Sequence, residues 1–373
     1  MISANNTPSP GALPIIQVGA GGMGRTWINA IKSNSDVELV GLVDLDTSVV
    51  NDVLSDYDLP GVVVGTSISE ILEQVHAEAV VNVTVPEAHL PVNKVALENG
   101  FPVLCEKPAA PTVSTALIQA AIAEQSGSLL MISQSRRYFS ALREIRRHTE
   151  QMGDIGAIVT NFFKAPRFGG FREQMEHVLL VDMAIHSFDA ARMVMNSEPV
   201  SVYCQEYNPE WSWFSGAANA SAVFEFEGGA RYMYNGSWCA PGQETSWNGS
   251  WRVSTAEGTI LWDGDGDITI QKISDAVPQI VHSEPQPEEI AGSLAAFVTA
   301  VRTGERPEND AVSNIRSLAM VEAAVLSARQ DRRVWIDDAI EQALIAAATN
   351  VDNENIKEWL RSEAPALLSL ETR

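Results

Sequence analysis

The fold of this chain is decided by Pro14-Ile15-Ile16-Gln17-Val18-Gly19-Ala20-Gly21-Gly22-Met23-Gly24. An apolar run ends at Gly19, and Gly19, Gly21 and Gly24 complete the pattern G-x-G-x-x-G where a segment with helical apolar spacing begins. In a strand–turn–helix unit the first glycine permits a tight turn. The second lets the backbone approach a pyrophosphate, and the third lets helix and strand pack closely. The free N–H groups at the start of the helix attract the phosphate charge. The stretch therefore predicts a dinucleotide-binding unit.

Asp44 ends the second predicted strand, twenty residues after Gly24. A carboxylate at this place accepts hydrogen bonds from the ribose hydroxyls and repels a 2′-phosphate. The following residues, Leu45-Asp46-Thr47-Ser48, contain no arginine or lysine that would offset this repulsion. We therefore predict NAD as the cofactor and disfavour NADP. A helix cap is the alternative role for Asp44.

Strand and helix patterns alternate in the first part of the chain. Strands are predicted at residues 14–18, 37–43, 62–64, 79–83, 102–105 and 129–133, with helical stretches between them. Such alternation, with strands that are apolar throughout, predicts an α/β Rossmann domain with a doubly wound parallel sheet. We place this NAD-binding domain at residues 13–137, after a flexible tail at residues 1–12.

The pattern changes after residue 138. One helix is predicted at 139–149 and another at 179–195, but most of the segment to about residue 272 consists of successive strands joined by hairpin-like turns such as Glu227-Gly228-Gly229. This predicts an α+β C-terminal domain with a large, mostly antiparallel sheet over residues 138–373. We expect this domain to bind substrate and to form a homodimer or homotetramer through an apolar sheet face. From about residue 339 an extra helical tail is expected to dock on a neighbouring subunit.

Composition excludes several classes of partner. The formal net charge is −23, which opposes binding to nucleic acid or to anionic lipid. The three cysteines, Cys105, Cys204 and Cys239, are few and far apart, which fits a reducing compartment. Neither a leader pattern at the start nor a membrane-length apolar run is present. These observations predict a soluble, cytoplasmic protein.

Lys107 is the first candidate for chemistry. It follows a predicted strand, in Cys105-Glu106-Lys107-Pro108, and the chain has only six lysines against nineteen arginines. Ligands of a doubly wound sheet bind beyond the carboxyl ends of its strands, where Lys107 is expected. The alternative is a solvated lysine at a strand end.

Asp182 and His186 are the second candidates. They stand four residues apart in a predicted helix, so both side chains project from one face among apolar neighbours. An imidazole beside a carboxylate is a typical general base, because the acid orients the ring and stabilises the imidazolium. A structural hydrogen bond is the alternative, and His177 and Asp189 are weaker rivals. No H-x-x-x-H pattern or cysteine–histidine cluster is present, so we predict no metal site.

Taken together, these motifs resemble the Gfo/Idh/MocA family of NAD(P)-dependent sugar and polyol dehydrogenases. The resemblance covers most of the chain and rests on the glycine stretch and Asp44, on Thr84-Val85-Pro86-Glu87-Ala88-His89, on Glu106-Lys107-Pro108, on Arg136-Arg137-Tyr138, on Asp182-Met183-Ala184-Ile185-His186 and on residues 297–334. It implies Lys107, Asp182 and His186 as the catalytic set. The cofactor-binding residues expected from the fingerprint and the resemblance are Gly19, Gly21, Gly22, Met23, Gly24, Asp44, Thr84, Pro86, His89, Glu106 and Lys107. One departure from the family pattern is Glu176-His177-Val178-Leu179-Leu180-Val181, which replaces the glycines often found before the aspartate.

The chemistry follows from the need to remove a proton as hydride leaves a carbinol carbon. His186, oriented by Asp182, is the predicted base, and Lys107 is predicted to stabilise the developing charge on oxygen. Lys107 is the alternative base if burial lowers its pKa. Substrate is expected to contact Arg136, Lys164, Arg167, Asp182 and His186. Stacking on a sugar or packing in the core are the alternatives for Trp211, Trp213, Trp238 and Trp247.

These features predict NAD-dependent oxidation of a secondary hydroxyl of a sugar, inositol or related polyol. One alternative keeps NAD tightly bound and uses transient oxidation for glycosidic cleavage or epimerisation. Another alternative is a non-catalytic sensor that binds nucleotide, although such a protein would not need Lys107, Asp182 and His186 together.

Overall fold

The computed structural model describes residues 11–369. The tail predicted for residues 1–12 lies almost wholly outside the described residues. Six strands form the first sheet: β1 (Leu13–Val18), β2 (Val37–Val43), β3 (Val63–Gly65), β4 (Ala79–Asn82), β5 (Val103–Glu106) and β6 (Leu130–Ser133). Five helices connect them: α1 (Gly22–Lys32), α2 (Thr47–Asp56), α3 (Ile68–Gln74), α4 (Pro86–Glu98) and α5 (Val113–Ser126).

The first sheet is parallel throughout and has the strand order β3-β2-β1-β4-β5-β6. This order confirms the predicted Rossmann domain. Strands β1, β4, β5 and β6 are buried along their whole length, which explains why their sequences are nearly all apolar. The strand order reverses between β1 and β4, so a crevice opens beyond the carboxyl ends of these two strands.

The second sheet confirms the prediction of a large, mostly antiparallel sheet. Its nine strands are β7 (Ile155–Phe163), β8 (Pro199–Tyr207), β9 (Asn219–Phe226), β10 (Arg231–Ser237), β11 (Ser250–Thr255), β12 (Gly258–Trp262), β13 (Ile268–Lys272), β14 (Gln279–Val281) and β15 (Val334–Trp335). Their order is β14-β13-β12-β11-β7-β10-β9-β8-β15, and within this described sheet β7 and β10 form the one parallel pair. The remaining α-helices are α6 (Ser140–Thr149), α7 (Ile185–Met195), α8 (Glu289–Thr303), α9 (Ala311–Gln330), α10 (Ile336–Asn350), α11 (Glu354–Ser362) and α12 (Ala364–Leu368).

Aromatic side chains join α7 to the inner face of the second sheet. The ring of Phe188 lies 4.8 Å from that of Phe224 on β9 and 5.3 Å from that of Tyr234 on β10, in both cases edge to face. Phe188, Phe224 and Tyr234 are almost completely buried. Edge-to-face contacts of this kind add about 0.5–1.5 kcal/mol each to the gain from burial, so α7 is held firmly on the sheet.

The helical tail packs on its own chain. Helices α10 and α11 contact α5 of the Rossmann domain, and they bury Ile340, Ala343, Ile356 and Trp359. The expectation that this segment docks on a neighbouring subunit is wrong for these apolar faces, because α5 already covers them. In addition, α8 packs on α1. Segments from the second half of the chain therefore complete the outer layer of the first domain.

The most apolar long helix and the three cysteines lie in the interior of the protein. Within residues 11–369, α9 is the one helix with the length and apolar composition of a membrane span, but 72% of its most apolar window is buried inside the protein. This is the packing of a core helix. The three cysteines are all buried and free.

Candidate active site

The glycines of the loop have two different roles. Gly19 and Gly24 allow close backbone contacts within the chain, whereas Gly21 leaves space beside the loop. Gly19 has φ +102°, and a Cβ atom there would lie 2.6 Å from the carbonyl oxygen of Val83. A Cβ atom on Gly24 would lie 2.4 Å from the carbonyl oxygen of Gly19. Gly21, in contrast, faces open space, and α1 begins there without a side-chain cap. The loop therefore offers free N–H groups and room for the pyrophosphate of a dinucleotide.

Asp44 lies at the end of β2, tied to this loop. Its Oδ2 accepts a hydrogen bond from the N–H of Ala20 at 2.7 Å, and its Oδ1 accepts one from the N–H of Asp46 at 3.0 Å. The alternative role of Asp44 as a helix cap is wrong, because the side chain of Asp46 caps α2 by accepting from the N–H of Ser48. Asp44 is only half-buried, so lone pairs of its carboxylate are available to ribose hydroxyls.

His89 joins the loops that follow β4 and β5. It is fully buried, with Nδ1 3.0 Å from the carbonyl oxygen of Pro108 and Nε2 3.1 Å from that of Thr84. Burial lowers the pKa of His89. The predicted contact between His89 and the cofactor is wrong, because its ring has no exposed surface. Instead, His89 holds the two loops together.

Thr84 and Pro86 lie in the loop that follows β4 and at the start of the next helix. Thr84 is half-buried in the crevice, and Pro86 begins α4.

Glu106 fixes the backbone that carries Lys107. Its Oε1 accepts a hydrogen bond from the indole Nε1 of Trp27 on α1 at 2.8 Å, and its Oε2 accepts from the N–H of Lys107 at 3.0 Å. Burial raises the pKa of Glu106. Because the carboxylate faces the interior, its structural effect is to anchor the end of β5 to α1.

Lys107, Asp182 and Arg172 form a charged cluster. The Nζ of Lys107 donates to the backbone carbonyl of Asp182 at 3.0 Å and lies 3.7 Å from its Oδ1. The Nε of Arg172 donates to Oδ2 of the same carboxylate at 2.6 Å. The side chains of Lys107 and Asp182 are 16% and 15% exposed. Asp182 thus joins the Rossmann domain to the second domain and separates two cations.

The predicted hydrogen bond between Asp182 and His186 is wrong. The segment Leu179–Ala184 is a π-helix, which passes directly into α7. Its wider turn changes the angle between residues four apart, and the oxygens of Asp182 turn to Lys107 and Arg172 instead. Within residues 11–369 no group makes a hydrogen bond to the imidazole ring of His186, and its Nδ1 is buried without a partner.

His186 is a neutral imidazole in a positive field. Its pKa is well below its ordinary value, first because the ring is buried and then because Lys107 and Arg136 repel a second positive charge. Its Nε2 has no hydrogen-bond partner among the described residues and, unlike Nδ1, is not fully buried. A neutral imidazole can accept a proton from a ligand that reaches one of its ring nitrogens.

The other predicted substrate residues are distributed around the same region. Arg136 lies in the 3-10 turn Ser135–Tyr138 and donates through Nη1 to the carbonyl of Trp247 at 2.7 Å, and burial lowers its pKa to about 10. Lys164 pairs with Glu244 at 2.9 Å and lies over the ring of Trp247. Arg167 is exposed, with its guanidinium 4.0 Å from the ring centre of Trp213. Of these three residues, Arg136 is the one whose charge lowers the pKa of His186.

The four tryptophans separate into core and surface residues. Trp238 is 2% exposed and stacks on Phe214, so its proposed use as a sugar platform is wrong. Trp213 is half-buried beneath Arg167. Trp211 and Trp247 are 67% and 41% exposed and remain candidates for stacking.

Sequence reasoning missed the segment that follows β7. Arg172 lies in a 3-10 turn, Gly170–Gln174, and its guanidinium lies 5.6 Å from the ring centre of Phe168 and 4.9 Å from that of Phe171. Both aromatic rings are more than half exposed. The available signal was an arginine directly after Phe168-Gly169-Gly170-Phe171, two aromatic residues that flank a Gly-Gly pair. Among residues 11–369, no group of three or more His, Cys, Asp or Glu side chains is placed to hold a metal ion.

The fold and the glycine loop define an NAD-binding oxidoreductase of the Rossmann class. Residues 14–134 match the family described as an oxidoreductase family with an NAD-binding Rossmann fold, and residues 143–261 match the GFO/IDH/MocA C-terminal domain. The chain therefore belongs to the Gfo/Idh/MocA family.

Individual relatives are distant but extend along most of the chain. The D-apiose dehydrogenase of Paraburkholderia graminis is 23% identical over 89% of this chain and 92% of its own length. The inositol 2-dehydrogenase of Rhizobium meliloti is 24% identical over 86% of this chain and 98% of its own. Among solved structures, an oxidoreductase of Agrobacterium radiobacter in complex with NAD⁺, L-tartaric acid and magnesium matches with a TM-score of 0.80. It is 17% identical and covers 87% of this chain and 99% of its own. At that identity the likeness shows the fold alone.

Proposed function

We propose that this protein is an NAD-dependent dehydrogenase that oxidises a secondary hydroxyl of a sugar, inositol or related polyol. The observation that carries the proposal is that Lys107, held by Asp182, lies close enough to the neutral imidazole of His186 to lower its pKa. The groups come from both domains, beside a glycine loop suited to a dinucleotide. Two relatives named as D-apiose dehydrogenase and inositol 2-dehydrogenase support the substrate class.

Oxidation of the hydroxyl breaks one C–H bond and one O–H bond. Bound NAD supplies the acceptor for the hydride. His186 takes the proton at Nε2, because its lowered pKa keeps the ring neutral before reaction. Lys107 donates a charge-assisted hydrogen bond to the substrate oxygen, which stabilises the negative charge as it develops.

Lys107 is the less suitable proton acceptor. Its Nζ donates to the carbonyl of Asp182 at 3.0 Å and lies 3.7 Å from the carboxylate of the same residue, so the group is placed as a hydrogen-bond donor. Its backbone is fixed by Glu106, which is itself held by Trp27. These contacts keep the ammonium aimed at one position, so the electrostatic stabilisation needs little rearrangement during reaction.

NAD is the proposed cofactor in preference to NADP. Ala20 and Asp46 hold the carboxylate of Asp44 at the end of β2, and a negative charge there opposes a 2′-phosphate. We expect kcat/KM to be at least tenfold higher with NAD than with NADP. An Asp44→Ala variant should lose this preference, and an unchanged preference in that variant contradicts the role of Asp44.

The test of the reaction is an NADH-coupled screen of inositols, aldoses and anhydrosugars. We expect NADH from at least one member, with Lys107→Ala and His186→Asn each lowering kcat at least a hundredfold. Arg361→Gln, a substitution on α11, is the matched control. Binding of NAD without NADH formation from any member, or from the corresponding sugar acids, overturns the proposal. Product formation without consumption of added NAD supports transient oxidation on tightly bound NAD instead.

We further propose that two copies of this chain associate through the outer face of the second sheet, in the cytoplasm. Tyr203, Val223 and Leu261 are 38–46% exposed there. Tyr203 and Val223 are register partners on β8 and β9, and the same row continues across the sheet through Met233, Val159 and Arg252 to Leu261 on β12. All of its members except Arg252 are apolar or aromatic, and such an exposed row suits a protein partner better than water. Light scattering should give a dimer or tetramer that Val223→Lys dissociates, and a monomeric wild type contradicts this.

A further inference from the structure

Arg172 presents two unused donors beside the reacting groups. Its Nε binds Oδ2 of Asp182 at 2.6 Å, and its side chain is 34% exposed. Among the described residues, neither terminal nitrogen has a hydrogen-bond or ion-pair partner. Phe168 and Phe171 lie against the guanidinium and restrict its motion. A planar guanidinium with both terminal nitrogens free is well shaped to bind a carboxylate with two parallel hydrogen bonds.

Three cations lie close to the proposed reacting groups. Lys107 and Arg172 share the carboxylate of Asp182, and Arg136 acts on His186. Glu106 interacts with Lys107 and Glu289 interacts with Arg136, so Arg172 is the cation of the three whose charge is met by Asp182 alone, an acid that it shares with Lys107. An anionic ligand at its terminal nitrogens would complete this balance.

We propose that Arg172 selects a substrate bearing a carboxylate, so that the protein acts on a sugar acid or other hydroxy acid. This inference rests on the proposed dehydrogenase function and specifies its substrate class. The carboxylate binds the terminal nitrogens of Arg172, while the hydroxyl to be oxidised lies between Lys107 and His186. Since Asp182 contacts both Arg172 and Lys107, the two cations lie close enough for the carboxylate and the hydroxyl of one small molecule to reach both.

The competing explanation is that Arg172 serves only to position Asp182. That role uses Nε and leaves the terminal nitrogens without function. The two explanations differ in one measurable ratio. A positioning role lowers kcat/KM equally for acidic and neutral substrates, whereas a carboxylate-binding role lowers kcat/KM for the acid alone.

The experiment uses full-length protein and matched pairs in which a CH₂OH group is replaced by a carboxylate. The probes are D-glucose with D-glucuronate, D-galactose with D-galacturonate, and D-glucitol with D-gluconate. In at least one pair, we expect the wild type to favour the acid at least tenfold in kcat/KM. Arg172→Gln and Arg172→Lys should each reduce that preference about 10- to 100-fold, mainly through KM, because lysine keeps a cation near Asp182 but lacks the two-pronged geometry. Arg361→Gln should leave the preference unchanged.

Binding gives a readout that does not depend on turnover. Calorimetry on NADH-loaded protein should show tighter binding of the acid than of its neutral partner, with the difference lost in Arg172→Lys. NADH formation from neutral probes alone, or an acid-to-neutral ratio that Arg172→Gln and Arg172→Lys leave unchanged, overturns the inference and leaves the proposed function in place. If no probe of either kind yields NADH, the proposed function fails. Equal binding of acid and neutral probes then overturns the inference as well.

Discussion

Replacing Asp182 by asparagine separates the two contacts that hold Lys107. The backbone carbonyl that accepts from Nζ at 3.0 Å survives, but the negative charge 3.7 Å from Nζ is lost. Arg172 loses the acceptor charge at 2.6 Å from its Nε. Because the substitution changes one oxygen to an NH₂ group of similar size, its effect is chiefly electrostatic.

We expect Asp182→Asn to lose more activity than the breaking of an exposed ion pair would cost, and less than the breaking of a fully buried one. Opposite charges 4 Å apart attract by about 4 kcal/mol at an effective dielectric constant near 20, which is an upper bound for this pair. Exposed pairs contribute about 0–1 kcal/mol, and removal of one partner of a fully buried pair costs about 3–5 kcal/mol. The side chains of Lys107 and Asp182 are 16% and 15% exposed, so we take about 2–3 kcal/mol. If this is lost in the transition state, kcat/KM falls about 30- to 150-fold.

The assay is the pH dependence of kcat/KM for Asp182→Asn, with Asp267→Asn as an exposed control. Burial, Lys107 and Arg136 already lower the pKa of His186. Without the carboxylate of Asp182 the charge of Lys107 is no longer offset, so we expect the pKa of His186 to fall further. Since the base must be neutral, the acid limb of the profile should move to lower pH in Asp182→Asn. A limb that moves to higher pH, or a loss above about ten-thousandfold, refutes the view that Asp182 acts through its neighbouring cations.

Three further outcomes are expected. Gly24→Ala should cost about 1–3 kcal/mol of folding free energy, because its Cβ atom meets backbone at 2.4 Å, whereas Gly22→Ala faces open space. Equal urea midpoints for these two variants contradict the steric assignment. Arg136→Gln should raise the pKa of His186 and move the acid limb of kcat/KM to higher pH, since one repelling charge is removed; an unmoved limb counts against this. Burial lowers the pKa of His89 below 6.5, so the unfolded chain binds the proton more readily. Melting temperature should therefore fall as pH decreases from about 6.5, less steeply in His89→Gln, and matching slopes would show that His89 is not responsible.

Local sequence patterns were sufficient to predict the fold of the first domain and the fold class of the second domain. Strand–helix alternation and apolar strands follow from burial on both sheet faces, and G-x-G-x-x-G follows from backbone contacts at Gly19 and Gly24. The same reasoning found Lys107 and His186, because strand ends and short helical spacings are visible along the chain. It did not predict that the apolar faces of the helical tail pack on α5 of the same chain, because an apolar helix face does not reveal which surface will cover it.

No local sequence pattern could predict the contacts that Asp182 makes. A spacing of four residues predicts a shared helix face only if the helix is α, and the turn at Leu179–Ala184 is π. Arg172 comes from a loop, and Lys107 comes from the other domain, so their meeting at one carboxylate depends on how the two sheets are placed.

The sequence by itself determined the Rossmann layer, the cofactor loop and the residue types available for proton transfer, because each depends on interactions between near neighbours. Only the tertiary structure decided that Asp182 binds Lys107 and Arg172 and that His186 stays neutral without a carboxylate partner. The reason is physical: a charged side chain is oriented by the strongest opposite charges within a few ångströms, and those arrive from distant parts of the chain.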